Sequence, residues 1–186
     1  MADTILTLTE IEDLFYDLTV SLIGGTPDVR HSWPTQGAPA FGVNDNVTFL
    51  KVYDVPGILT IERDEKYSQV GSPSTPNMAT RYTRNLMVNW IFYGAQSWNN
   101  AISVRNKIFY QEHHDTLARK NIYMVPNFEP PKRVPELWQG LWYERADLTI
   151  KFNEAIVVNE TVPYLESAEI IVVDHSGVRA DIVVEE

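Results

Sequence analysis

The sequence contains no cysteine, which excludes disulfides, thiolate nucleophiles and cysteine–metal sites together. No apolar run approaches the length of a membrane span. Asp3 stands where a secretory leader would carry a basic segment, and Glu10, Glu12 and Asp13 soon interrupt the first apolar residues. A chain that folds in the cytoplasm is therefore expected. The sequons Asn46-Val47-Thr48 and Asn159-Glu160-Thr161 then read as chance matches, since glycosylation needs a secretory route.

Positive charge is also scarce. Fifteen Lys and Arg face 25 Asp and Glu, for a net charge of −10 and a pI near 4.8. Only Arg119-Lys120 and Lys132-Arg133 place two basic residues side by side. Such a balance favours solubility and opposes general nucleic-acid binding. Chemistry-bearing motifs are missing as well: there is no Gly-x-Ser-x-Gly elbow, no Gly-x-x-x-x-Gly-Lys phosphate loop and no Gly-x-Gly-x-x-Gly fingerprint. The carboxylates Glu62, Asp64 and Glu65 fall in a polar stretch without the apolar surroundings that would raise a pKa for acid catalysis.

Of the four histidines, only His113 and His114 suggest a site, within Glu112-His113-His114-Asp115. Adjacent residues point apart on a helix, whereas a one-helix zinc site needs histidines four residues apart. The simpler reading is a polar helix end whose histidines lie near the negative pole of the helix dipole. No catalytic residue, cofactor site or metal site is assigned.

What the chain does have is a core. Its 186 residues are 44% hydrophobic and 22% charged, the balance of a globular protein able to fold without staples. One domain over 1–186 is expected. Ile11, Leu14, Phe15, Leu18 and Leu22 repeat at helical spacing and form one apolar stripe. Thr9-Glu10-Ile11-Glu12 fits a capping box at its start, and Gly24-Gly25 followed by Pro27 supplies its stop. Residues 29–45 are rich in Pro, Gly, Ser and Thr, which predicts an irregular extended segment.

Residues 46–53 read as a strand, and 54–80 as a long polar excursion from the core. Tyr82 to Tyr93 is a strong strand with Leu86, Val88, Trp90 and Phe92 on one face. Met87, Ile91 and Tyr93 make the other face partly apolar too, as in a strand covered on both sides. Ser97 is placed to cap a second helix carrying Ala101, Val104 and Ile108 inward and continuing irregularly to Lys120. Residues 127–135, with three prolines, should be an extended connection.

Trp142 to Phe152 alternates, with Trp142, Ala146, Leu148, Ile150 and Phe152 assigned to the buried face. At the end, 168–174 and 178–184 read as two strands around the turn Asp174-His175-Ser176-Gly177, giving a strand-bearing arm over about 175–186. Two helices and six strands, mixed along a chain without internal repeats, predict an α+β fold with a mixed, mostly antiparallel sheet and long extended loops.

The aromatic residues Trp33, Trp138 and Tyr143 lie in or beside Pro-rich stretches, outside a periodic core pattern. They suit either the plugging of core edges beneath loops or the anchoring of a subunit interface.

Several peptides resemble those of the phage neck terminator family. They are Trp33-Pro34-Thr35-Gln36-Gly37-Ala38-Pro39, Asn121-Ile122-Tyr123, Arg133-Val134-Pro135-Glu136-Leu137-Trp138-Gln139-Gly140, Trp142-Tyr143-Glu144-Arg145 and Thr161-Val162-Pro163-Tyr164. Each is short, but their order and spacing run from the first helix to about Glu169. The resemblance implies a non-enzymatic virion protein similar to tail terminators, assembled in the host cytoplasm as a hexameric ring at the head–tail junction. Such a ring ends the tail tube, meets the neck connector and head-completion proteins, and leaves a lumen through which DNA passes without specific binding. No cofactor and no membrane contact are implied.

Trp33, Gln36, Arg133, Glu136, Trp138, Tyr143 and Arg145 are the candidate interface residues. Alternatives remain open: a head-completion or connector protein in a twelve-membered ring, a small metal-dependent hydrolase using His113, His114 and Asp115, or a monomeric binding module.

Overall fold

The structure, a computed structural model, describes residues 3–33, 37–57, 59, 61–70, 75–162, 167–173 and 179–185. Helix α1 spans Leu8–Ile23. Its cap is Thr7, not Thr9: the Thr7 hydroxyl accepts from the Glu10 N–H, and the Glu10 carboxylate accepts from the Thr7 N–H at 2.8 Å. Both threonines precede a glutamate by three residues, so the pattern alone is degenerate. The helix selects the register that leaves Thr7 extended, at φ −70° and ψ 159°. Gly24, at φ 82°, ends it. The last-turn carbonyl of Leu22 accepts from Ser103 Oγ and Lys107 Nζ, a cation at the negative end of the helix.

Strand β1 (Asp28–His31) runs parallel to β2 (Val47–Asp54). The remaining pairings of the main sheet are antiparallel, in the order β1-β2-β4-β9-β5, with β4 over Thr75–Tyr93, β9 over Arg145–Thr161 and β5 over Ile122–Met124. β3 (Asp64–Val70) pairs with the first part of β4, and β6 (Lys132–Arg133) with the start of β9. The polar stretch 54–80 thus holds β3 and the beginning of β4. It carries no apolar alternation because this ribbon extends past the helices and most of its described side chains are not buried.

The expected second helix is two helices, α2 (Ser97–Lys107) and α3 (Gln111–Ala118). Ser97 is not the cap; it is the buried first residue of α2, and the Gln96 N–H is met instead by Asn46 Oδ1 at 2.8 Å. Two small hairpins complete the described fold: β7 (Glu136–Trp138) with β8 (Leu141–Tyr143), and β10 (Ser167–Val173) with β11 (Arg179–Glu185). The architecture is α+β, with three helices and eleven strands among the described residues.

One face of the sheet is the core. Ile11, Phe15, Leu18 and Leu22 of α1, with Ala101 and Val104 of α2, pack on Leu50, Leu86, Val88, Trp90, Leu148 and Phe152. Each fully buried large side chain contributes roughly 1.5–3 kcal/mol before chain entropy is charged. Two polar groups enter this layer and are satisfied. Trp90 Nε1 donates to Thr19 Oγ1 at 2.7 Å, and that hydroxyl donates to the Phe15 carbonyl at 2.6 Å.

Glu154, fully buried, accepts from Arg84 Nε at 2.6 Å and from the Leu6 N–H at 3.1 Å, while Arg84 Nη2 donates to the Leu6 carbonyl. The N-terminal segment is thereby held along β9, where the Thr4 N–H also bonds the Val157 carbonyl.

The other face of the sheet presents alternate residues, Phe49, Lys51, Tyr53, Met87, Asn89, Ile91, Tyr93 and Asp147, all half-buried, and Thr149 and Lys151, which are exposed. The sequence pattern predicts such a face, apolar in part, on the central strand.

Candidate functional site: an aromatic corner on the open face of the sheet

The distinctive surface lies where β7, β8 and the start of β9 meet the open face. Between Trp138 and Leu141 the chain turns through only Gln139 and Gly140, at φ 49° and 80°. Two successive left-handed residues are the tight hairpin turn whose twist matches the strands, and glycine takes the second position without strain. Alternation then splits the hairpin into two faces. Glu136, Trp138, Leu141 and Tyr143 share one, and Leu137 and Trp142 share the other.

Trp142 is therefore not on the buried face with Ala146. The chain leaves β-pairing at Glu144, and Trp142 is 63% exposed. Val134, Leu137, Trp138 and Leu141 are exposed beside it. Five large exposed apolar side chains thus fall within nine residues, divided between the two faces of the hairpin, and exposed apolar surface of this kind marks interaction sites.

Ion pairs fasten the hairpin. Arg145 grips Asp147 through Nε and Nη2, both at 2.8 Å, and reaches Glu136 at 3.2 Å. Glu136 also accepts the Tyr93 hydroxyl at 2.7 Å. Arg133 forks onto Glu144 at 2.7–3.0 Å. These contacts set the ionisation of the corner. The Tyr93 hydrogen bond, helped by Arg145, holds the Glu136 carboxyl below its ordinary range, whereas burial and the Glu136 bond push the Tyr93 phenol up to about 12. The guanidinium of Arg145 is raised, first by Asp147.

Beside the hairpin lies a cavity of about 450 Å³ lined by Phe41, Tyr93, Glu136, Trp138 and Tyr143 among others. Phe41 sits 5.2 Å from Tyr93 and 5.9 Å, edge-on, from Tyr143 between ring centres. A second hollow of about 370 Å³ shares Phe41 and Tyr93 and is walled by Trp33 and Lys51. The Lys51 ammonium lies 4.2 Å from the centre of the Trp33 ring.

Of the candidate residues, Arg133, Glu136, Trp138, Tyr143 and Arg145 thus come together at one corner, and Trp33 borders the adjoining hollow. Gln36 lies outside the described residues. Phe41, Tyr93, Leu137, Leu141 and Trp142 also belong to this surface. Of these, the alternation of Leu137-Trp138 and Leu141-Trp142 about Gln139-Gly140 was the available signal.

The histidine cluster looks different. His113 is buried, with Nε2 3.4 Å from Glu112 Oε1 and its ring stacked on Tyr110, while His114 is exposed. Among the described residues no three potential metal-ligating side chains gather at one point, and no described helix is long and apolar enough to cross a membrane.

Residues 9–176 match the family described as phage neck terminator protein. The chain belongs to that family. It is a structural protein of the phage neck, a virion component whose neighbours are other proteins of the head and tail. No curated protein matches the chain. For a neck terminator, an exposed aromatic corner laced by ion pairs is a surface suited to protein contacts, since interfaces favour Trp, Tyr and Arg.

Proposed function

We propose that this neck terminator works without catalysis, as a ring of six copies at the head–tail junction that ends the tail tube, docks the neck connector and head-completion proteins, and leaves a channel for DNA. The family match, together with the exposed corner of Leu137, Trp138, Leu141 and Trp142, carries this reading. In a cyclic ring each subunit offers two unlike surfaces, one patch meeting a different patch of its neighbour.

The hairpin corner, with Arg133, Glu136, Tyr143, Arg145 and the neighbouring Trp33, supplies one surface. The second is the C-terminal β10–β11 hairpin or the β3–β4 ribbon. β10 and β11 pair with each other and with no described strand of the main sheet. An isolated two-stranded hairpin is marginal in water, so a neighbour that extends or covers it would stabilise both. The whole chain, 1–186, acts as one unit, with the strand-bearing arm of about 175–186 as part of that second surface.

Six copies at −10 each would carry −60, and an acidic lumen would let phosphates pass without sticking. Native mass spectrometry of the purified chain mixed with tail tubes tests the reading. Six-fold species capping tube ends are expected; twelve-fold species bound to connectors instead would assign the chain to head completion.

A further inference from the structure

We propose that the cavity between the hairpin and the open sheet face binds a cationic side chain, a lysine or arginine presented by an adjoining protein of the neck. The proposal deepens the interface reading by naming what the corner receives; only the source of the cation rests on that reading.

Two features of the lining lead to a cation. Phe41, Tyr93, Trp138 and Tyr143 bring four aromatic rings to one cavity, and aromatic faces attract ammonium and guanidinium groups through the ring quadrupole. Glu136 adds a full negative charge at the same wall. The bonds it accepts from Tyr93 and Arg145 both fall on Oε2, which leaves Oε1 for a further donor. A carboxylate within an aromatic box is a combination that a neutral ligand would not need, and one that an anion would be repelled by.

The cluster already uses this chemistry internally. Arg30 lies 5.9 Å from the centre of the Phe41 ring and Arg145 lies 5.8 Å from that of Tyr93. Each of those guanidinium groups is matched by its own carboxylate, Asp28 and Asp147 respectively. Glu136 shares Arg145 with Asp147, so two carboxylates meet one cation there.

Charge argues for the partner as well. Two carboxylates, Glu136 and Asp147, around one guanidinium draw in a basic side chain of a neighbour and turn away an acidic one. Hydrogen bonds to charged groups and cation–π contacts in partly desolvated sites act together here. The hairpin's tight turn and ion pairs hold the box in place before a ligand arrives, which limits the ordering cost.

The test uses the full-length chain and five indole N–H signals in ¹H–¹⁵N spectra, with fully buried Trp90 as the internal control. N-acetyl-arginine amide and tetramethylammonium are titrated against N-acetyl-citrulline amide, which keeps the shape of arginine without its charge. Saturable shifts at Trp138 with both cations, at least about tenfold weaker with the citrulline probe, are expected for a cation–π site with a paired carboxylate. Trp138→Leu should abolish the response reported by the Tyr93 and Phe41 ring signals, and Glu136→Gln should weaken it while tetramethylammonium retains part of its effect. No saturable shift up to about 0.5 M at constant ionic strength, past the tens to hundreds of millimolar at which contacts of this strength saturate, overturns the proposal. Equal response to citrulline also overturns it, because the cavity would then be a neutral groove. Either failure leaves ring assembly, measured separately by mass, untouched.

Discussion

The Tyr93 hydroxyl donates to Glu136 across 2.7 Å, joining the middle of the sheet to a hairpin that begins 43 residues later. Because each group shifts the other's proton affinity, this bond sets a pH window for the whole aromatic corner. Glu136 has a depressed pKa, so its contribution is present above the ordinary carboxylate range and is lost as pH falls through the lowered value. Tyr93 has a raised pKa, so its contribution is complete below 10 and is lost as pH rises toward about 12. Docking of β7–β8 should therefore hold from mildly acidic to mildly alkaline pH and loosen at both extremes. Indole and tyrosine NMR signals would show it, and Tyr93→Phe should remove the alkaline limb and weaken the acid one, since the Tyr93 bond is the first cause of the lowered Glu136 pKa.

Thr19 and Trp90 give a second prediction. The threonine hydroxyl relays a bond from the Trp90 indole to the Phe15 carbonyl inside the core. Thr19→Val keeps the shape and leaves the indole N–H orphaned, which should cost about 1–3 kcal/mol in urea unfolding. In Trp90→Phe the same threonine change should cost much less, so a double-mutant cycle measures the coupling. Equal costs in both backgrounds would show that the bond carries no stability.

Arg84 and Glu154 extend the argument to the N-terminus. Arg84→Met strands a buried carboxylate, a change worth about 3–5 kcal/mol, and frees the Leu6 carbonyl. A lowered melting temperature with faster amide exchange at Leu6 is expected, and adding Glu154→Gln should recover part of the loss.

Gly94 ends β4 at φ 93°, and a Cβ there would stand 2.4 Å from the Asp45 carbonyl oxygen and 2.7 Å from Asn46 Oδ1. Gly94→Ala therefore strains the backbone and displaces the side chain that meets the start of α2. We expect a loss exceeding about 1 kcal/mol in chemical denaturation, from left-handed strain and a forced close contact.

Leu137→Ser with Trp142→Ser tests the interface. Both side chains are exposed and face away from the sheet, so unfolding free energy should stay within about 0.5 kcal/mol. Assembly should fall at least about tenfold, because interface anchors of this type dominate binding. Unchanged oligomer mass at matched concentration would remove the hairpin from the interface.

The comparison of pattern with structure divides along burial. Ile11 to Leu22, Leu86 to Phe92 and Ala146 to Phe152 were legible because each faces one apolar layer, so periodicity reports the core directly. The cap at Thr7 was not, since Thr9 satisfies the same spacing. β9 continues past Phe152 to Thr161 through Asn153 and Glu154, where a buried carboxylate mimics the end of a strand and its partners lie 70 and 148 residues away.

The early part of β4 escaped for the opposite reason: most of its described side chains are unburied, so no alternation marks it. At the corner, Trp138 and Tyr143 could be singled out as aromatics beside Pro-rich stretches, and Arg133, Glu136 and Arg145 through the peptides that resemble the family. Phe41 and Tyr93 could not, because only folding brings them beside that hairpin. Trp142 was misplaced because its parity agrees with Ala146 while a break at Glu144 lies between them.

Strand direction in the smallest part of the sheet has a wider effect. β1 and β2 point the same way, so the chain between His31 and Val47 cannot make a tight reversal and has to travel back along a strand's length before pairing can begin. Phe41 rides on that return path and reaches the rings of Phe49, Tyr93 and Tyr143. Had the two strands been antiparallel, a short hairpin would have left that side of the sheet bare; one wall of the aromatic box exists because the polypeptide had to double back.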